Sequence, residues 1–174
     1  NNVVSPNAVG VDIGCGVIAT KTSLEQIDIE TIKKIMGKIR ETIPVGCNHN
    51  KQAQSWDGFD LAPDIPIIQQ ELTSARKQLG TLGGGNHFIE IQKGDDGYIW
   101  LMIHSGSRNF GLKTAKEYNK KAVDLCERWY AEIPNKDLAF FPIEEKEGKE
   151  YMVAMNYCLD FAQANRSLMM EKLF

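Results

Sequence analysis

Residues 79–92 read LGTLGGGNHFIEIQ, and three consecutive glycines in this stretch are followed by an amide, an imidazole and a carboxylate at the start of a β-rich segment. The glycines at 83–85 free the backbone for positive φ and let its N–H groups approach an anion closely. From residue 87 the alternation predicts a strand, with Phe88, Glu90 and Gln92 on one face and His87, Ile89 and Ile91 on the other. A polar group beside each face of a strand that leaves a glycine loop indicates a ligand site.

Simpler interpretations apply to the same residues. Glycine runs often form only turns, and a single histidine on an apolar face is more often a packed core residue than a ligand. The next segment favours the ligand site, because residues 93–97 (KGDDG) have hairpin-turn chemistry and residues 98–104 then predict an antiparallel strand. His87 and His104 both lie at the ends remote from this turn, so we predict that they meet.

A second informative segment, VGVDIGCGV at residues 9–17, places Asp12 and Cys15 three residues apart among glycines. Small neighbours allow the carboxylate and the thiolate to converge on one point. A thiolate is a soft ligand and a carboxylate accommodates harder ions, so the pair suits a transition metal better than Mg²⁺ or Ca²⁺. A turn with a buried cysteine is the alternative.

The strand that ends at His104 is followed by SGSRNFG at residues 105–111, and the pattern predicts a helix over residues 112–131. Ser105, Ser107 and the loop amides would precede the helix start, where free N–H groups favour an anion, and Arg108 could fork onto a phosphate. This arrangement is typical of a phosphate-binding loop. The alternative is an N-cap beside a solvated arginine.

The remaining patterns predict a strand over residues 17–24 and helices over residues 28–42, 67–78 and 150–173. We interpret His49 as a surface-loop residue that can lie near a substrate, not as a core metal ligand. Cys126 and Cys158 fall within helical patterns and are assigned to packing. The expected fold is α+β, with antiparallel hairpin strands packed with helices around a metal site.

Composition excludes several classes of protein. The 174 residues fit one domain, and the net charge of −3 gives no general basic surface for nucleic acid. No apolar run approaches the roughly 20 residues that a membrane span needs. The four cysteines form no CxxC pair, which argues against a zinc ribbon or a thioredoxin motif, and we expect them to be reduced in a cytoplasmic protein. The chain lacks an initial Met and stops within a helical pattern, so we expect a fragment.

Taken together, these segments resemble the RtcB family, the GTP-dependent RNA-splicing ligases that join a 2′,3′-cyclic phosphate or 3′-phosphate end to a 5′-hydroxyl end. The matching stretches are VGVDIGCGV at 9–17, LGTLGGGNHFIEIQ at 79–92, IHSGSRNFG at 103–111 and AMNYCLDFAQANR at 154–166. They stand in the family's order and span nearly the whole chain. Residues 1–174 are therefore expected to be part of an RtcB-like catalytic domain, with the N-terminal and C-terminal portions of the family absent.

The resemblance implies a site for two Mn²⁺ ions. Asp12 would bind one ion, Cys15 would bridge both as a thiolate, His87 would complete the protein ligands of the first ion, and His104 would bind the second. Arg108 would contact a phosphate of the RNA end or of the nucleotide.

A GTP site is implied along residues 86–90. Asn86 would lie near the α-phosphate, Phe88 would pack on the nucleotide, and Glu90 would accept hydrogen bonds from guanine, with His87 and Ile89 in the same run. The partners are thus GTP and RNA with the ends named above, without a membrane. The implied role is tRNA splicing or RNA repair, through a guanylylated enzyme and an RNA-ppG intermediate.

The sequence also departs from the family. The nucleophilic histidine that carries GMP is expected beyond residue 174, so none of the three histidines here is assigned as catalytic. Leu112 stands where many members carry a further histidine. We therefore expect that residues 1–174 alone cannot ligate RNA. Two other functions remain open: a metal-dependent phosphoesterase or nucleotidyl-transfer relative, and a non-catalytic metal- or RNA-binding protein.

Overall fold

Two small antiparallel sheets and a set of packed helices form the structure, a computed structural model that describes residues 2–174. In chain order the elements are β1 (Val3–Val4), α1 (Pro6–Val9), β2 (Gly16–Lys21), α2 (Ile29–Thr42), α3 (Pro66–Gln78), β3 (Phe88–Lys93), β4 (Ile99–Ser105), α4 (Arg108–Arg128), β5 (Phe141–Pro142) and α5 (Lys146–Glu171). The arrangement confirms the prediction of antiparallel strands and helices in an α+β protein.

The larger sheet has the strand order β2-β4-β3, with both pairs antiparallel. Strands β3 and β4 form the predicted hairpin, whose turn is held by Asp96: its carboxylate accepts from the Tyr98 amide and the Trp100 indole and pairs with Lys21 at 2.8 Å. In the register of the sheet, His104 is the Cα partner of Phe88 on β3 and of Val17 on β2. The hairpin therefore brings His104 next to the glycine loop, as predicted.

The two faces of this sheet have different surroundings. On one face Ile89 and Ile103 pack with Ile43, Met169 and Met170 in a small apolar cluster. The other face carries Val17, Phe88, Glu90, Met102 and His104 in neighbouring register positions. Val17 on this second face is 54% exposed. The sheet thus offers one open, largely apolar surface beside His104.

A larger core lies between α3, α4 and α5. Its buried aromatic residues include Phe110, Tyr118, Phe141, Tyr151 and Phe161. Cys126 and Cys158 are buried in it, which confirms their assignment to packing. The buried carboxylate of Glu71 on α3 accepts from Lys113 on α4 at 2.9 Å, so an ion pair also joins these helices.

Several predicted boundaries were wrong. Helix α4 begins at Arg108, not at residue 112, because the Gly111 amide donates to the Ser107 carbonyl at 3.3 Å and closes a first turn there; the Ser107 side chain makes no capping hydrogen bond. The helix ends at Arg128, since Tyr130 adopts a left-handed φ of 53° that a helix cannot continue. The segment 105–111 is therefore not a single loop.

Other elements also differ from their predicted bounds by a few residues, whereas the predicted N-cap of α2 is confirmed. Asp28 caps α2, as its carboxylate accepts from the Thr31 amide at 2.8 Å. Strand β2 ends at Lys21, three residues before its predicted end. Helix α5 begins at Lys146, four residues before its predicted start. Within residues 2–174, the helices are all too short or too polar to cross a membrane.

Candidate metal centre

The turn between α1 and β2 presents Asp12 and Cys15. The Cys15 amide donates to the Asp12 carbonyl at 3.0 Å, and the side chain of Ile13 between them is fully buried, which fixes the turn to the core. Gly106, just after β4, leaves room for the Asp12 carboxylate, since a Cβ at this position would overlap Asp12 Oδ1. The backbone thus holds both side chains toward the end of β4.

Three candidate ligand atoms converge here. His87 Nε2 lies 2.8 Å from Asp12 Oδ2 and 3.6 Å from Cys15 Sγ. The ligand atoms of Asp12, Cys15 and His87 all lie within 4.8 Å of one another. A carboxylate, a thiolate and an imidazole in one cluster form a donor set that suits a divalent transition metal.

His104 reaches the same cysteine from the sheet. Its Nε2 lies 2.8 Å from Cys15 Sγ, and its ring centroid lies 5.6 Å from that of His87. The predicted meeting of the two histidines is thereby confirmed. Cys15 stands at the junction of two groups, one with Asp12 and His87 and one with His104.

A backbone carbonyl orients the His87 ring. Nδ1 lies 2.9 Å from the Leu82 carbonyl, which can only accept a hydrogen bond, so a proton on Nδ1 leaves the Nε2 lone pair free for a metal. Histidine ligands are held in this way in many metal sites. Arg108 Nη1 also lies 3.2 Å from Nδ1, but two donors cannot share this contact in the tautomer that binds metal.

Arg108 is a strained, largely enclosed cation beside the centre. It has a left-handed φ of 61°, which a non-glycine residue rarely adopts and which is often found at functional sites. Its Nε donates to Thr81 Oγ1 at 3.3 Å, and its guanidinium occupies the space that a Cβ on Gly83 would fill. Burial lowers the pKa of Arg108, while Asp12 and Cys15 oppose that shift.

The Cys15 thiol holds its proton firmly in the protein without a metal. Partial burial, followed by the hydrogen bond and the charge of Asp12, raises the pKa of Cys15 to about 11. A bound cation would reverse this effect, because metal binding displaces the thiol proton. The thiol is thus suited to a ligand role and poorly suited to nucleophilic attack in the metal-free state.

Two consecutive residues of α5 support the site, and sequence analysis assigned neither of them a role. Arg166 Nη1 donates to the Gly14 carbonyl at 2.7 Å and to the Ser105 carbonyl at 2.9 Å, which ties the Asp12–Cys15 turn to the end of β4. Asn165 is fully buried, and its side chain bonds the start of the glycine loop and the residues after β4. Two consecutive polar residues within the predicted helix 150–173 were the local signal of this role.

The predicted phosphate-binding residues lie in different environments. Ser105 and Ser107 are fully buried, and the Ser105 hydroxyl donates to the Leu82 carbonyl and accepts from Asn165. Neither serine offers its hydroxyl to an external phosphate in this structure. Arg108 is the member of the three that lines an open surface.

The residues predicted to bind a nucleotide follow the centre along β3. Asn86 and Glu90 are exposed, and the Phe88 ring stands edge-on to the His104 ring with centroids 5.2 Å apart. Ile89 points to the opposite face, where it packs in the small apolar cluster. His49 lies on an exposed loop, as predicted, and is not among the clustered metal ligands of the described chain.

Comparison with known proteins identifies relatives for almost the entire chain. The family model described as tRNA-splicing ligase RtcB matches residues 1–64 and 58–174. The RNA-splicing ligase RtcB of Escherichia coli strain K12 is 32% identical over 190 residues, which cover 98% of this chain and 46% of the relative. The tRNA-splicing ligase RtcB of Pyrobaculum aerophilum is 29% identical over 217 residues, which cover 97% and 45%. The chain therefore spans about half the length of the curated relatives it matches.

Proposed function

The chain belongs to the RtcB family of tRNA-splicing ligases, and from this premise we propose that it forms the metal-binding part of a GTP- and Mn²⁺-dependent RNA ligase. The whole protein would join a 2′,3′-cyclic phosphate or 3′-phosphate end to a 5′-hydroxyl end. The observation that carries this proposal is the position of Cys15, whose Sγ lies 3.6 Å from His87 Nε2 and 2.8 Å from His104 Nε2.

The donor set supports a pair of metal ions. Asp12, Cys15 and His87 would hold one Mn²⁺, and Cys15 and His104 would hold a second. A thiolate shared by two groups of donors can serve two cations, and the imidazole and carboxylate are ligands that Mn²⁺ accepts. When bound, the ions would neutralise charge on phosphate oxygens and align the reacting groups.

The open face of the sheet supports a nucleotide site for GTP. Phe88 would pack against the nucleotide, Glu90 would accept from the guanine N–H groups, and Asn86 would donate to a phosphate. The exposure of Asn86 and Glu90 and the edge-on contact of Phe88 with His104 support this assignment. The other two residues of this run would act indirectly. His87 would bind the metal, and Ile89 would hold the strand against the small apolar cluster.

Arg108 would bind and orient a phosphate in this reaction. Its side chain is held by the hydrogen bond to Thr81 and by close packing of the guanidinium against Gly83. Little side-chain freedom would therefore be lost on binding a phosphate. A cation held rigidly where negative charge develops stabilises the transition state of phosphoryl transfer. The histidine that would carry GMP is expected outside residues 1–174.

Ligation by the natural protein that contains these residues tests the proposal. A labelled RNA with a 3′-phosphate and a partner with a 5′-hydroxyl should be joined only with GTP and Mn²⁺. Asp12→Asn should abolish joining, and Asp95→Asn, in the hairpin turn, should not. Release of phosphate without GTP would instead support a phosphoesterase. The intact mass of residues 1–174 should be unchanged by GTP and Mn²⁺, and a GMP adduct on this fragment would contradict the expected position of the nucleophile.

A further inference from the structure

A cleft of about 610 Å³ opens beside the candidate metal centre. Asp12 and Arg108 line it, and the loop containing Asn48 and His49 forms part of its wall. None of residues 86–90, the run proposed to bind GTP, lines this cleft, which reaches the glycine run at Gly84. Its volume lies in the range of roughly 300–1,000 Å³ found for small-molecule sites.

The loop that carries Asn48 and His49 is anchored at both ends. The Gly46 amide donates to the Gly83 carbonyl at 2.8 Å, which joins the loop to the glycine run. The Asn50 side chain donates to the Leu79 carbonyl at 2.7 Å. Asn48 and His49 are exposed and are therefore presented to the cleft from a fixed backbone.

A buried polar group on the cleft wall lacks a partner. Gln78 is only 1% exposed, and its Nε2 donates to Ser74 Oγ at 2.7 Å. Its Oε1 has no hydrogen-bond partner within residues 2–174. Turning the amide over would leave Nε2 unpaired instead. A buried polar atom without a partner costs about 1–3 kcal/mol, and a ligand with a hydroxyl or amino group would satisfy it.

The charges of the cleft indicate what else the ligand carries. Arg108 lines it at the start of the 21-residue helix α4, followed by Asn109. A guanidinium at a helix N-terminus favours a phosphate. Leu112, one turn further along, supplies an apolar surface suited to a ribose or a base. Phosphate, hydrogen-bonding groups and an apolar face occur together in a nucleotide.

We propose that this cleft binds the terminal nucleoside of the RNA strand that bears the 3′-phosphate. The terminal phosphate lies at Arg108 beside the metal centre, the nucleoside lies between Leu112 and the loop with His49, and Gln78 hydrogen-bonds a polar group of the nucleoside. This assignment rests on the proposed function, in which GTP occupies residues 86–90. In the proposed function the 3′-phosphate of this RNA attacks the phosphorus of the GMP carried by the histidine, and the histidine nitrogen leaves; a phosphate held at Arg108, away from residues 86–90, suits such an in-line attack.

Equilibrium binding of a short fluorescent RNA tests the assignment. The probe ends in a 3′-phosphate, a second probe ends in a 3′-hydroxyl, and GTP binding is measured in parallel. Replacing both Asn48 and His49 by Ala should weaken binding of the phosphorylated RNA about tenfold and leave GTP binding unchanged. Asn86→Ala should weaken GTP binding and leave binding of the phosphorylated RNA unchanged. Loss of GTP binding in the double variant, or unchanged RNA binding, would overturn the assignment.

Gln78→Leu separates binding from folding. The variant loses the Nε2–Ser74 Oγ hydrogen bond but also removes the buried Oε1 that has no partner. These two effects oppose each other, so the melting temperature should change little, whereas affinity for the phosphorylated RNA should drop. Unchanged RNA affinity in this variant would contradict the role of Gln78 in the cleft. If the unaltered protein did not distinguish the 3′-phosphate from the 3′-hydroxyl probe, the proposed ligase function would itself be contradicted. Failure of the cleft assignment and failure of the proposed ligase function therefore give different results.

Discussion

Replacement of Asn165 by Ala should destabilise the protein strongly, because this one side chain joins three parts of the site. Its Oδ1 accepts from the amides of Gly80 and Thr81 at 2.7 and 3.1 Å. Its Nδ2 lies within hydrogen-bond distance of Ser105 Oγ at 3.1 Å and of the carbonyls of Thr81 and Gly106, both at 3.2 Å. All of these contacts are buried.

The size of the effect follows from the groups left without partners. The two Nδ2 protons can satisfy two of the three acceptors, so four hydrogen bonds are lost at most. At about 1 kcal/mol for each, with the Ser105 hydroxyl still bonded to Leu82, the free energy of unfolding should fall by about 3–4 kcal/mol. This is close to the upper end of single-residue effects.

Denaturant unfolding followed by circular dichroism measures this change. Gln163→Ala, at an exposed position of the same helix, is the matched control and should alter stability by less than about 0.5 kcal/mol. A loss below about 1 kcal/mol in Asn165→Ala would contradict this role of Asn165, since it would mean that water or a small shift replaces these contacts.

Three other variants test separate parts of the account. Arg166→Met should weaken Co²⁺ binding about tenfold in a titration followed by absorbance. Arg166→Lys should have an intermediate affinity, and both variants should still unfold cooperatively. Equal Co²⁺ affinity in the unaltered protein and the two variants would contradict the role of Arg166. Asp96 has a pKa lowered to about 2 by Lys21 and Trp100, so its contribution to stability is present above about pH 4 and is lost as the pH falls through about 2. Asp96→Asn should flatten this part of the stability profile, and Asp95→Asn should not. Gly83→Ala should lower the free energy of unfolding by about 1–2 kcal/mol and displace the Arg108 guanidinium. A crystal structure of this variant with Arg108 unmoved would contradict the close packing of Arg108 against Gly83.

Local sequence patterns predicted the parts of the site that depend on neighbours in the chain. Alternating apolar residues on both sides of KGDDG predicted the hairpin, and pairing of its strands placed His104 near His87. Glycines around Asp12 and Cys15 indicated a turn that could present both side chains. These predictions succeeded because strand period and turn chemistry are local properties.

Contacts between distant segments were outside the reach of such patterns. Serine and glycine favour both loops and helix caps, so the start of α4 at Arg108 and the burial of Ser105 and Ser107 were missed. The role of Asn165 depends on backbone groups 59–85 positions away. The loop at 46–49 and the start of α4 both line the cleft, and no spacing in the sequence indicates that they do so.

Cobalt titration of residues 1–174 shows whether Cys15 is a metal ligand. Co²⁺ bound by a thiolate gives a charge-transfer band in the near ultraviolet, so binding at the candidate centre should produce this band. The band should disappear in Cys15→Ser and persist in Cys47→Ser, which removes an exposed thiol outside the cluster of candidate ligands. A band that depended on Cys47, or cobalt binding without any thiolate band, would contradict a metal centre built on Cys15.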